Sequence, residues 1–238
     1  MRNPVVAASL AVLLSACGES APPAAAPAPA EAPASPTPPS EAPAAPGRTA
    51  PTVEGEQGGT ADWRQVVSAA DAANLGRLDQ AWRLGRAEAE DKGFADKVEA
   101  LGPLVDPNAG QTGRLQPAPG DYRCRTIKLG SNSPGGLGYL EYPWFRCTVE
   151  LTPGGDLILT KTTGSQRTRG LLYPDTDNRL VFVGAQAWGM DETGFPRYGQ
   201  QPIRDQVGVF QRIGSDRWRL VIPWPKVESK LEILELIR

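Results

Sequence analysis

The residues that would do chemistry are few, and the missing type is the most informative. The chain has no histidine. That removes Ser-His-Asp triads, Cys-His pairs, HExxH zinc sites and imidazole acid–base catalysis together. Three constellations remain. The first is basic: Arg123, Arg125, Lys128 and Arg146, followed by Lys161, Arg167 and Arg169. Guanidinium groups bind carboxylate and phosphate bidentately, so several on one face would hold an anion. Arg123 and Arg125 alternate onto one strand face and Lys128 onto the other, a pattern that an ordinary solvated strand also gives. The second is the run TTGSQRTRGLLYPD, Thr162 to Asp175. Ser165 there has only Lys161 nearby as a base and reads as a turn residue, whereas Gln166 and Arg167 would line a barrel mouth. The third is aromatic, with Tyr139, Tyr142, Trp144, Phe145, Trp188, Phe195 and Tyr198 in or beside two long connections. Loops of that length often carry function, and a barrel core would equally absorb the rings. The candidate ligand or partner surface is therefore Arg125, Arg146, Gln166, Arg167, Arg169, Trp188 and Tyr198. Asp191, Glu192 and Asp205 show no pairing that would support glycosidase chemistry. No residue is assigned to catalysis, cofactor or metal.

The elements that must position these residues begin with an address. Residues 1–16 have Arg2, then an apolar run from Val5 to Leu14, and end in Leu14-Ser15-Ala16 before Cys17. The run is shorter than the ~20 residues that span a bilayer and suits a signal peptide. Its ending resembles a lipobox, which makes Cys17 the lipidation site; an ordinary signal peptide cut after Ala16 is the alternative. Gly18 rather than Asp follows, which points to the outer membrane, facing the periplasm. Residues 17–60 are mostly proline and alanine and read as a disordered spacer. In polyproline geometry, some 40 residues at about 3.1 Å each would reach roughly 100 Å. With Lys+Arg 25 against Asp+Glu 27, no global attraction for nucleic acid is expected.

Residues 61–238 read as one folded domain. Leu75, Leu78, Ala81, Trp82, Gly85 and Ala89 recur in steps of three and four, predicting a helix begun by Ser68 and ended by Gly93. Phe94 to Leu101 forms a second, short helix, so 61–106 is a helical hairpin. From residue 118 the period becomes two. Eight strands are expected: 122–129, 145–151, 157–163, 168–173, 180–187, 207–213, 218–223 and 231–237. Short turns between them imply antiparallel neighbours, so the fold class is mostly β, with a small N-terminal helical part. The strands form an antiparallel up-and-down β-barrel or strongly curved meander. Cys124 and Cys147, on the first two strands, are the only cysteines left once Cys17 takes lipid. In an oxidising compartment they pair, closing a loop worth roughly 3 kcal/mol in the chain-entropy model.

The runs DWRQVVSAADAANLGRLDQAW, PAPGDYRCRTIKLG, YPWFRC, TGSQRTRGLLYPD, LVFVGA and RWRLVIPWPKVESKLEILEL together resemble the domain-of-unknown-function family 4893, from about Asp62 to Ile237. The resemblance implies an exported bacterial protein whose helices and strands form one unit, and it carries no catalytic residue across. A looser similarity of architecture, to small barrel inhibitors of lysozyme or proteases in the bacterial envelope, lacks their inhibitory loop motifs. The expected function is a non-enzymatic envelope lipoprotein, bound to the membrane through its lipid. Its barrel takes a small ligand or an envelope protein and needs no cofactor. The alternatives are an inhibitor of a periplasmic hydrolase, or an enzyme, which would need a cleft with clustered Asp, Glu or Lys at shifted pKa.

Overall fold

Alternation of apolar and polar residues from Gly120 onward builds nine antiparallel strands in the computed structural model, which describes residues 62–238. They are β1 (Gly120–Leu129), β2 (Tyr139–Glu141), β3 (Phe145–Leu151), β4 (Leu157–Lys161), β5 (Gln166–Thr176), β6 (Arg179–Trp188), β7 (Asp205–Gly214), β8 (Arg217–Pro223) and β9 (Leu231–Ile237). From β3 to β9 each strand pairs with the next, and β1 pairs with both β3 and β9. Eight strands therefore close into a barrel, which removes the exposed edges of an open sheet. The ninth, β2, lies in the stretch expected to be a loop. It pairs with Ile127–Leu129 of β1, beyond the point where β3 has left that edge. Three residues are too few for a period of two to register in sequence.

Cross-strand register fixes which side chains share the barrel interior, because directly paired residues face the same way. At one end the inward rows carry Tyr122, Cys124, Cys147, Val149, Leu157, Leu159, Leu172, Leu180, Phe182, Phe210, Trp218, Leu220, Leu234 and Leu236, all buried in one cluster with Leu115. Cys124 and Cys147 are joined there, with S–S 2.04 Å and Cα–Cα 5.9 Å. This half of the barrel is filled. Where β5 and β6 cross, Gly170 faces Gly184. A Cβ on Gly184 would come within 2.1 Å of the Arg169 carbonyl oxygen, so only glycine permits this approach.

The helices cover the outer face. The structure has α1 (Ala69–Gly76), α2 (Leu78–Ala89) and α3 (Ala95–Ala100). Ser68 caps α1, its side chain accepting from the Asp71 N–H at 3.2 Å. The single long helix expected up to Gly93 is instead interrupted at Arg77, whose φ of −104° and ψ of 24° are not helical. The two segments then serve different surfaces. Leu75 of α1 packs with Tyr173, Val181, Val183, Val207 and Val209, while Ala81, Trp82 and Ala89 of α2 pack on Ile127, Leu129, Val221, Leu231 and Ile233. Gly93 has φ 86° and turns the chain between α2 and α3. Arg86 thereby reaches Glu99 at 3.0 Å, a pair that an unbroken helix would hold about 20 Å apart. Cys17 and the segments expected at 1–16 and 17–60 lie outside the described residues.

Candidate functional site

Towards the other end the inward rows turn polar. On β1 the row Cys124, Thr126 ends in Lys128, on β4 the row Leu157, Leu159 ends in Lys161, and on β9 the row Leu236, Leu234 ends in Glu232. Thr168 of β5, Gln186 of β6 and Gln206 of β7 complete the ring, and all seven polar side chains are buried. A burial of this kind demands partners. The Thr168 hydroxyl donates to the Gln206 side-chain oxygen, and the Trp188 indole donates to Gln186 Oε1 at 2.7 Å. Lys128 Nζ donates to Gln166 Oε1 at 2.7 Å and to the Glu228 carboxylate, and lies 3.5 Å from Glu232. Glu228 also accepts from Gln166 Nε2 at 3.0 Å. It sits in the β8–β9 connection with φ 70°, a backbone conformation that non-glycine residues rarely adopt.

A cavity of about 220 Å³ opens at this end, lined by Thr126, Tyr142, Phe145, Lys161, Ser165, Gln166, Glu228 and Glu232. Its two lysines differ in state. Burial alone would lower Lys128, but Glu232 and Glu228 outweigh it and raise its pKa above the usual lysine value. Lys161 has no such carboxylate in contact among the described residues. Its ammonium donates to the Gln166 carbonyl at 2.6 Å and lies 3.9 Å from the centre of the Phe145 ring. Burial pulls its pKa down to about 8; the more distant Glu232 opposes this, while Lys128 and Arg167 reinforce it. The cavity therefore presents one buried cation with donor capacity to spare.

The residues singled out from sequence fall in several places. Gln166 lines the cavity and Trp188, its cross-strand partner, stands beside it. Arg167 points outward and ties down the β6–β7 connection through the carbonyls of Gly189 and Glu192. Arg169, also outward, meets Glu150 at 3.1 Å and Thr160 at 2.8 Å. Arg125 is engaged by Glu141 and, at 2.6 Å, by Glu235. Arg146 is exposed on β3, directly opposite Arg123. Tyr198 donates to Asp71 at 2.6 Å and accepts from the Ser68 N–H at 2.9 Å, fastening the β6–β7 connection to α1. The arginines thus do not converge on one anion site. Sequence reasoning named Lys128 and Lys161 only as members of a basic set, without placing Lys161 inside the barrel, and passed over Glu232. Each continues an inward row of alternate residues, and that is the signal that would have found them.

A family model described as Domain of unknown function (DUF4893) matches residues 63–236. The chain belongs to that family. The match spans all three helices and all nine strands up to the penultimate residue of β9, so the barrel and its helical cover are together the DUF4893 unit. No curated protein and no solved structure matches the chain. Among the described residues of this DUF4893 domain, no group of three or more Cys, Asp and Glu is placed to hold a metal ion.

Proposed function

We propose that this protein is a small-molecule-binding module of the bacterial envelope, tethered through a lipid on Cys17, whose ligand enters the polar end of the barrel. One observation carries the reading: a buried lysine, Lys161, faces a cavity and has no carboxylate partner among the described residues, while its neighbour Lys128 is engaged by Gln166, Glu228 and Glu232. A ligand that places an acceptor oxygen, from a carboxylate or a carbonyl, against Lys161 would satisfy it, with the Phe145 ring offering an apolar wall. The cavity volume of about 220 Å³ falls below the ~300–1,000 Å³ of drug-sized sites, which sets the ligand at the scale of a small organic acid or oxo compound. Thermal-shift and calorimetric titrations with a panel of such compounds (acetate, lactate, glyoxylate, pyruvate) test this. Binding by at least one of them, weakened about tenfold or more in Lys161→Met, is the expected result, since a lost charge-assisted bond is worth ~1.5–3 kcal/mol. No response to any member at millimolar concentration would remove the proposal.

A further inference from the structure

We propose that Lys161 is a nucleophile that captures a small aldehyde or ketone as an imine inside the barrel mouth; this rests on the binding reading above. Three features of the cavity carry it. The first is the placement of the amine. Nζ is held by the Gln166 carbonyl at 2.6 Å and against the Phe145 ring at 3.9 Å, in a residue that is only 5% exposed, yet it belongs to a cavity wall. An amine so placed is shielded from bulk water but open to a bound molecule.

The second is the charge around it. Lys128 from β1 faces it as a cation and Glu232 from β9 as the opposing carboxylate, while Arg167, outward on β5, adds its positive charge from behind the strand. Glu228, from the β8–β9 connection, is committed to Lys128 and Gln166 rather than to Lys161. Desolvation beside other cations is one of the ways by which lysine is activated for Schiff-base chemistry. With its pKa at about 8 against the usual 10.5, Lys161 holds on the order of a hundredfold more free amine at neutral pH than an exposed lysine.

The third is the set of proton-handling groups. Glu232, Ser165 and Tyr142 line the same cavity. The step balances with these groups alone. Nζ, as the free amine, adds to the carbonyl carbon, and the carbonyl oxygen takes up a proton to give a carbinolamine. The hydroxyl then leaves as water with a second proton, a C=N bond forms, and no electron is gained or lost overall. The relay of the proton between nitrogen and oxygen is assigned to Glu232, the carboxylate that shares this cavity wall with Lys161. Because one water is released and nothing is oxidised, the capture is reversible by hydrolysis.

The test is reductive trapping on the full chain. Glyoxylate or pyruvate is added near neutral pH with cyanoborohydride, which delivers hydride to the imine and fixes it as a secondary amine, and peptide mass spectrometry maps the product. The expected result is an adduct on Lys161 that forms at least about tenfold faster than on the exposed Lys97 in the same sample, and is absent in Lys161→Arg. The internal comparison with Lys97 needs no variant, so it decides even if Lys161→Arg folds poorly. Binding of the same compound by calorimetry without a Lys161 adduct overturns the imine and leaves the binding reading intact. Neither binding nor adduct overturns both.

Discussion

At the scale of single residues, Lys161 is a liability to folding that the site retains. Its pKa in the folded chain, about 8, lies below its usual 10.5, so between those values the unfolded chain carries more protons and stability rises with pH. Below pH 8 the full cost of burying the charge is present. Lys161→Met should therefore be more stable than the natural chain at neutral pH, by about 1–3 kcal/mol, with the difference shrinking as pH rises towards 10.5. Urea denaturation of both proteins at pH 7 and near pH 10 measures this; a variant less stable at both values would contradict it. The sequence made Gln166 legible as a mouth residue, because it opens a strand after a glycine turn. Lys161 and Glu232 were harder to see. A charged residue on a strand ordinarily faces water, and only the unbroken inward rows Leu157, Leu159, Lys161 and Leu236, Leu234, Glu232 betray these two.

At the scale of elements, the segment after α3 depends on one side chain from the barrel wall. Arg219 of β8 is fully buried on the outward face. Its guanidinium donates to the carbonyls of Pro103 at 3.1 Å, Leu104 at 3.0 Å, Asp106 at 2.7 Å and Pro107 at 3.3 Å. It also grips Gln211 Oε1 at 2.8 Å and lies 5.2 Å from the Trp82 ring centre. Backbone carbonyls and the Gln211 amide oxygen solvate the charge directly; burial lowers its pKa to about 10, with the Asp106 carboxylate opposing that fall. Arg219→Met takes the donor from the buried Leu104 carbonyl and from the half-buried carbonyls of Pro103 and Pro107, and should cost about 3–5 kcal/mol, read as a fall in the denaturation midpoint. A loss under 1 kcal/mol would mean that the segment 103–107 holds itself. The strands and the disulfide were legible because period two and glycine-rich turns are local signals. The break at Arg77 was not, since the apolar stripe runs straight through it. Tertiary packing decides there, as Leu75 and Trp82 serve different outer clusters.

At the scale of the whole molecule, the barrel divides into a filled half, stapled by Cys124–Cys147, and a polar half that encloses the cavity. The two halves meet at the disulfide, since Lys161 is the direct cross-strand partner of Cys147. The rigid end thus sets the position of the site, which suits a module that binds rather than one that deforms. The proposed lipid anchor is testable by growth with an alkyne-bearing fatty acid: the natural chain should take up the label, Cys17→Ser should not, and an unlabelled natural chain would refute the anchor. The claim on which the rest turns is that the polar end is where a ligand goes. Nuclear magnetic resonance of the isotope-labelled chain, titrated with glyoxylate and pyruvate, addresses it directly. Shifts confined to Phe145, Lys161, Gln166, Glu228 and Glu232 are predicted. Shifts that leave those residues unmoved and gather in the groove between α3 and β2, around Phe94, Lys97 and Tyr139, would contradict it.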